Sequence, residues 1–239
     1  MRRRKLRPRQ VARAYFNLAT ACGSVAAALM RPLAWPLGKR RGARMLAQIS
    51  ADVAPIYKLD TPLGVLKFRC PSAESVKAAA RFAYDEPETR WWIETVIEPG
   101  ECVWDIGANV GLYALYAALR IGPAGRVLCF EPGANNYSAL NDNIQLNQLS
   151  ERMDAYCIAL ADKTLVARLA LSDADAGRAG HKFQANGADA GSTTPPPAGY
   201  VPATQSAIGY SIDEFIRQFG VRAPNHIKLD VDSIEERPR

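Results

Sequence analysis

Between residues 56 and 70, apolar and charged positions alternate in I-Y-K-L-D (56–60) and V-L-K-F-R-C (65–70), around T-P-L-G. A period of two predicts strands with one buried face, and the Pro and Gly between them predict a β-hairpin. The Ala-rich stretch 74–83 predicts a helix. A second helix is expected over E-P-E-T-R-W-W-I-E-T-V (86–96), where Pro87 and two glutamates suit a helix start and Trp91, Trp92 and Ile93 supply an apolar face read as core packing. C-V-W-D-I (102–106) is a short apolar run that leads through G-A-N-V-G into the helical pattern L-Y-A-L-Y-A-A-L-R. After a turn at G-P-A-G (122–125), R-V-L-C-F-E (126–131) reads as a second buried strand. Helical spacing of Tyr137, Leu140 and Ile144 follows Pro132-Gly133. T-L-V-A-R-L-A-L (164–171) and I-K-L-D-V-D (227–232) predict further strands, with His226 preceding the latter. Strands alternating with helices predict an α/β class with a parallel central sheet.

The chain has 239 residues, 48% of them apolar, enough for one principal core and a small appended segment. Its net charge of +6 conceals an asymmetry: residues 1–50 hold 12 of the 30 Lys and Arg and none of the 24 Asp and Glu, so the arm carries +12 and the rest −6. An acidic body argues against a nucleic-acid-binding core, which would gather positive charge on its folded face. Three segments are expected: a basic helical arm (1–50), a hairpin and helical lead-in (51–100) and the nucleotide-type domain (101–239). Three readings of the arm stay open. The mildly apolar stretch Ala14–Met30 is a membrane anchor, or residues 1–44 form a basic amphipathic helix on the protein or on an anionic membrane, or the segment is a solvated tail. The 5 cysteines form no C-x-x-C pair and have no nearby histidines, so no metal site is expected, and a reducing, cytoplasmic compartment is, with membrane association through the arm left open.

The chemistry concentrates at the carboxyl ends of the two buried strands. Asp105 closes the first, and Gly107 and Gly111 flank a turn that lets backbone approach a ligand, with Asn109 placed to cap the following helix. Glu131 closes the second strand, where a carboxylate can accept hydrogen bonds from both hydroxyls of a ribose. The spacing D-x-G-x-x-x-G places Ala108 and Asn109 where a dinucleotide fingerprint requires glycine to admit a pyrophosphate. A nicotinamide-dependent oxidoreductase therefore ranks below a ligand without pyrophosphate.

V-W-D-I-G-A-N-V-G-L-Y (103–113), F-E-P (130–132), N-D-N-I-Q-L-N (141–147), A-L-A-D (159–162) and I-K-L-D-V-D (227–232) resemble, in order, the blocks of the FkbM family of methyltransferases, with E-P-E-T-R-W-W-I (86–93) fitting the family's lead-in. The resemblance implies a Rossmann-like class I methyltransferase fold, S-adenosylmethionine as methyl donor, and O-methylation of a sugar, glycan or small natural product. It implies Asp105, Gly107, Ala108, Asn109 and Gly111 around the donor's methionine part and Glu131 on its ribose. Asp162 is either near the adenine or an ordinary turn residue. Asp230 and Asp232 are the candidate general bases, Asp232 alternatively a helix cap, and Lys228 is read as an ion-pair partner. His181, in the polar segment 177–199, reads as a solvated loop residue, and T-T-P-P-P-A-G-Y (193–200) lacks the aromatic directly after the proline pair that an amino-methylating DNA enzyme signature requires.

This chain has Ser233 where the family usually has glycine, and its last seven residues hold none of the helix, fifth strand and hairpin that normally complete the fold. The expectation is a sheet of order 3-2-1-4 with strand 4 at an exposed edge, marginal stability, and a non-catalytic donor-binding or interaction fragment as the alternative function.

Overall fold

The structure is a computed structural model that describes residues 25, 26, 28–171, 182–185 and 203–230. Its chain divides into two compact units, 1–54 and 55–239. In the first unit residues 28–34 are helical, a 3-10 turn spans Trp35–Leu37, and α1 runs Gly38–Val53. Gly42 lies so close to Ala34 that a Cβ there would stand 2.4 Å from the Ala34 carbonyl oxygen, so glycine permits the two helical segments to touch. Among the described residues no helix is long and apolar enough to cross a membrane.

The second unit opens with the antiparallel hairpin β1 (Ile56–Thr61) and β2 (Gly64–Arg69), paired from Ile56↔Arg69 to Thr61↔Gly64. Leu59, Leu66 and Phe68 on its inward face are buried, as alternation requires. Helix α2 (Ala73–Arg81) begins at a reciprocal Ser72–Ser75 capping box, and α3 (Pro87–Thr95) begins at Pro87. Of the expected apolar triplet, Ile93 is 1% exposed and Trp92 packs on the core, but Trp91 is 61% exposed and contributes no core packing. Three consecutive helical residues cannot all face one side at 100° per residue.

A parallel sheet follows. Strands β3 (Cys102–Ile106), β4 (Arg126–Phe130) and β5 (Met153–Tyr156) alternate with α4 (Leu112–Ile121) and α5 (Ala134–Leu146). In the order β10-β3-β4-β5, β10 (His226–Leu229) lies on the other side of β3. This is the 3-2-1-4 order expected for the class I methyltransferase half-sheet. Every residue of β3 is buried because both faces are covered. Val103 faces the larger core with α4, α5 and the hairpin, while Cys102, Trp104 and Ile106 face a second cluster centred on Phe130 and Phe215. Phe215 comes from α6 (Ile212–Phe219), a strongly two-faced helix capped by Ser211. Trp104 can be fully buried because its indole N–H donates to the Arg222 carbonyl at 3.1 Å.

A second sheet, not expected beyond one strand, has the order β6-β9-β7-β8: β6 (Ala159–Leu160), β9 (Ala203–Tyr210), β7 (Leu165–Leu171) and β8 (Lys182–Ala185). Strand β8 falls inside the segment read as polar loop. His226, expected to precede its strand, is the strand's first residue, and its Nε2 lies 2.9 Å from Glu101 Oε2.

Candidate functional site

The parallel strands β3, β4 and β10 end on one side of the sheet, and Asp105, Glu131 and Asp230 all sit at or just past those ends. The loop after β3 is fixed by its backbone. The amides of Gly107 and Ala108 both donate to the Phe130 carbonyl, at 2.9 and 3.1 Å. The Asn109 amide donates to Glu131 Oε2 at 2.8 Å, and the Gly133 amide donates to Glu131 Oε1 at 2.8 Å. Glu131 is 4% exposed; burial raises its carboxyl above the ordinary value, and the Gly133 and Asn109 amides partly offset this.

Gly111 takes φ +90 and is itself the N-cap of α4. A Cβ there would meet Leu115 Cδ1 at 2.4 Å and Leu140 Cδ1 at 2.6 Å, so the turn into the helix needs glycine for space as well as conformation. The expectation that Asn109 caps α4 is therefore corrected. Asn109 has φ +51, and its buried Oδ1 has no hydrogen-bond partner among the described residues. One residue with positive φ turns the amide toward Glu131 and takes the side chain off the helix axis.

Asp105 shares the face of Val103 by strand alternation and is 3% exposed. Burial, the largest influence, raises its carboxyl to about 6, with Lys228 opposing. Among the described residues its Oδ1 accepts no hydrogen bond, and Lys228 Nζ stands off at 3.8 Å. Lys228 instead donates to Asp230 Oδ2 at 3.1 Å and lies 5.2 Å from the Tyr113 ring centroid. Burial pulls the Lys228 ammonium down, but Asp105, Asp230 and Glu86 outweigh it and the net direction is up. The Asp230 amide donates to the Ile106 carbonyl at 2.9 Å, which seats Asp230 beside Gly107.

These groups face a cleft of about 480 Å³. Asp105, Gly107, Ala108, Asn109 and Asp230 line it, and so do Asp85 and Glu86 from the lead-in. Glu131 lies behind the loop, Gly111 packs beneath it, and Asp162 is exposed in the turn after β6; none of these three lines the cleft. Asp232, His181 and residues 193–200 lie outside the described residues. Among the described residues no group of three or more His, Cys, Asp or Glu is arranged to hold a metal.

Asn143 and Asn147 also build the site, a role the local sequence pattern does not assign them. Asn143 is fully buried, donates from Nδ2 to the Val110 carbonyl at 2.9 Å and accepts the Arg69 amide at 2.8 Å. Asn147 accepts the Lys67 amide at 2.8 Å and donates to the Lys67 carbonyl at 2.7 Å. The two amides thus pair with the free edge of β2 as a strand would, and Asn143 joins that edge to the glycine loop. The signal was present: asparagines four apart share one helix face.

The methyltransferase FkbM domain profile matches residues 105–236. The chain is 34% identical over 93 residues to the 31-O-demethyl-FK506 methyltransferase FkbM of Streptomyces tacrolimicus, covering 38% of this chain and 35% of that one. It is 39% identical over 67 residues to the AMB antimetabolite synthetase AmbE of Pseudomonas aeruginosa, covering 28% of this chain and 3% of that one. The chain thus spans about a third or less of the length of these curated relatives. Among solved structures, it is similar to P. horikoshii TYW2 in complex with MeSAdo, at 21% identity and TM-score 0.33 over 52% of this chain and 49% of that one. A SAM-dependent O-methyltransferase of Thermotoga maritima is similar at 18% identity and TM-score 0.31, covering 45% and 51%.

Proposed function

The chain belongs to the FkbM methyltransferase family, whose methyl donor is S-adenosylmethionine, and from that premise we propose that it O-methylates a hydroxyl of a sugar, glycan or small natural product. The observation that carries this reading is the under-bonded carboxylate of Asp105 on the wall of a cleft at the carboxyl ends of β3 and β10, beside a backbone bend at Gly107. Such a cleft suits a ligand with cationic groups and no pyrophosphate. The donor supplies a methyl group on a sulfonium whose departing thioether is neutral, so the protein's task is positioning.

In this reading Asp105, Gly107, Ala108 and Asn109 surround the methionine part, with Gly111 setting the bend. Glu131 takes the ribose hydroxyls with the lone pairs left over after each oxygen has accepted one amide. Asp162 lies toward the adenine. Asp230, its carboxylate oriented by Lys228, removes the acceptor's proton, a contribution of ~10²-fold. Asp232 is the second candidate for that role. The relative from Streptomyces is by its name an O-methyltransferase, which supports an oxygen acceptor.

Calorimetric titration with S-adenosylmethionine tests the donor site: saturable binding is expected, and no heat at ~1 mM, where the free energy would be only about 4 kcal/mol, overturns the reading. Transfer of a labelled methyl group to a panel of glycans and polyol natural products tests the acceptor class; binding with no transfer to any of them identifies a non-catalytic donor-binding fragment. The first unit carries exposed Trp35, Leu33 and Leu37 beside Arg31, Lys39, Arg40, Arg41 and Arg44, a composition that supports peripheral contact with an anionic membrane from the cytoplasmic side. Sedimentation with vesicles of anionic but not zwitterionic lipid is expected, and equal sedimentation with neither excludes it.

A further inference from the structure

We propose that Glu86, together with Asp105, holds the α-ammonium of the donor's methionine end, which makes the lead-in before the nucleotide-type domain a working part of the donor site. This rests on the donor reading above. The cleft wall carries four carboxylates, on Asp85, Glu86, Asp105 and Asp230. Two are already matched: Asp85 to Arg81 at 2.9 Å and Asp230 to Lys228 at 3.1 Å. Glu86 spends Oε2 on the Thr89 hydroxyl at 2.9 Å, and among the described residues no cation lies within ion-pair distance of it. Asp105 lines the cleft and is 3% exposed; its buried Oδ1 accepts no hydrogen bond among the described residues, with Lys228 Nζ 3.8 Å away. Among the described residues, then, neither Glu86 nor Asp105 accepts a hydrogen bond from a cation, and Asp105 has Lys228 only at 3.8 Å.

They are close enough to feel one another. The charge of Glu86 disfavours ionisation of Asp105 and favours the charged form of Lys228. Among the described residues no group of three or more His, Cys, Asp or Glu is arranged to hold a metal, and the cations that line the cleft with these carboxylates are Lys77, Arg81 and Lys228. An ammonium on a flexible chain, with three hydrogens to give, can reach two carboxylates that do not converge on a point.

The backbone supplies a second sign. Glu86 has φ +46 and ψ +58, a left-handed conformation that is strained for a residue other than glycine. It is the N-cap of α3, yet its side chain makes no capping bond to the helix amides, and Pro87 locks the step that follows. A glycine or asparagine would sit there at less cost. What a glutamate adds is a carboxylate at the cleft.

The test compares two probes by calorimetry on the full chain. S-adenosylhomocysteine carries the amino-acid end, whereas 5′-methylthioadenosine keeps the adenine, ribose and sulfur and lacks it. Glu86→Gln should weaken S-adenosylhomocysteine about tenfold and leave 5′-methylthioadenosine within about twofold. Glu86→Gly, which suits the positive φ and preserves the turn, should do the same, so a folding defect of the glutamine variant would not mask the answer. Equal loss for both probes, or loss for neither, overturns the assignment of Glu86. Failure of the wild-type chain to bind either probe overturns the donor reading itself, and this assignment with it.

Discussion

Replacing Asp105 by asparagine should make the protein more stable and its donor site worse. In the folded chain burial raises the Asp105 carboxyl from 3.8 to about 6, because Lys228 stands at 3.8 Å without donating a hydrogen bond and cannot fully offset desolvation. Ionising this carboxyl in the folded state therefore costs about 3 kcal/mol more than in the unfolded chain. The sign follows directly. A carboxyl whose folded value lies above its unfolded one penalises stability at pH values above about 6, and the penalty is relieved as pH falls from 6 towards 3.8. Asparagine, close in shape to the protonated acid, never carries the penalty. Urea unfolding should show Asp105→Asn more stable by about 3 kcal/mol at pH 8, a large share of the ~5–15 kcal/mol typical of a domain, with the gap closing to near zero at pH 4. Titrating groups that do not feel Asp105 cancel in the difference; Glu131 and Lys228, both raised by its charge, are exceptions. S-adenosylhomocysteine should meanwhile bind at least tenfold more weakly to the variant, since one carboxylate facing its ammonium is gone. A variant less stable than wild type at pH 8, or a gap that does not change with pH, would show that Asp105 is a satisfied structural carboxylate and refute the reasoning.

Two further outcomes follow from the same geometry. Asn143→Ala should cost about 2–4 kcal/mol in urea unfolding, because it leaves the Val110 carbonyl and the Arg69 amide without their buried partner; a variant within 0.5 kcal/mol of wild type would mean that water replaces the amide, an amount on the order of a neutral surface change. Donor affinity of the wild type should fall as pH drops through about 6, where Asp105 takes up its proton, and Lys228→Met should move that midpoint upward by removing the nearest cation; calorimetry across pH 5 to 8 checks both, and an unmoved midpoint excludes Asp105 as the titrating group.

What the sequence disclosed, and what it withheld, divides along the range of the interactions involved. Strands β3 and β4 are legible because a strand covered on both faces must be largely apolar, and each has a carboxylate at or just past its carboxyl end that the pattern cannot otherwise explain. The glycine bend is legible too, though its detail is not. Asn109 satisfies every local rule for a helix cap, yet the cap is Gly111, since Leu115 and Leu140 leave no room for a side chain and Glu131 draws the Asn109 amide away. Leu140 and Glu131 belong to other elements, so no window around the loop contains the deciding atoms. The same holds for Asp105, whose missing hydrogen bond depends on Lys228 preferring Asp230, and for Asn143, whose partner on β2 comes from a hairpin far earlier in the chain. Glu86 marks the limit from the other side. Its sequence neighbourhood, a proline and two glutamates at a helix start, already has a sufficient explanation in helix physics, and that sufficiency hides the one feature helix physics does not account for, a left-handed glutamate facing the cleft of another element. A residue that breaks its local rule where distant elements meet is where function is to be sought, because only a gain made elsewhere keeps such a choice in place.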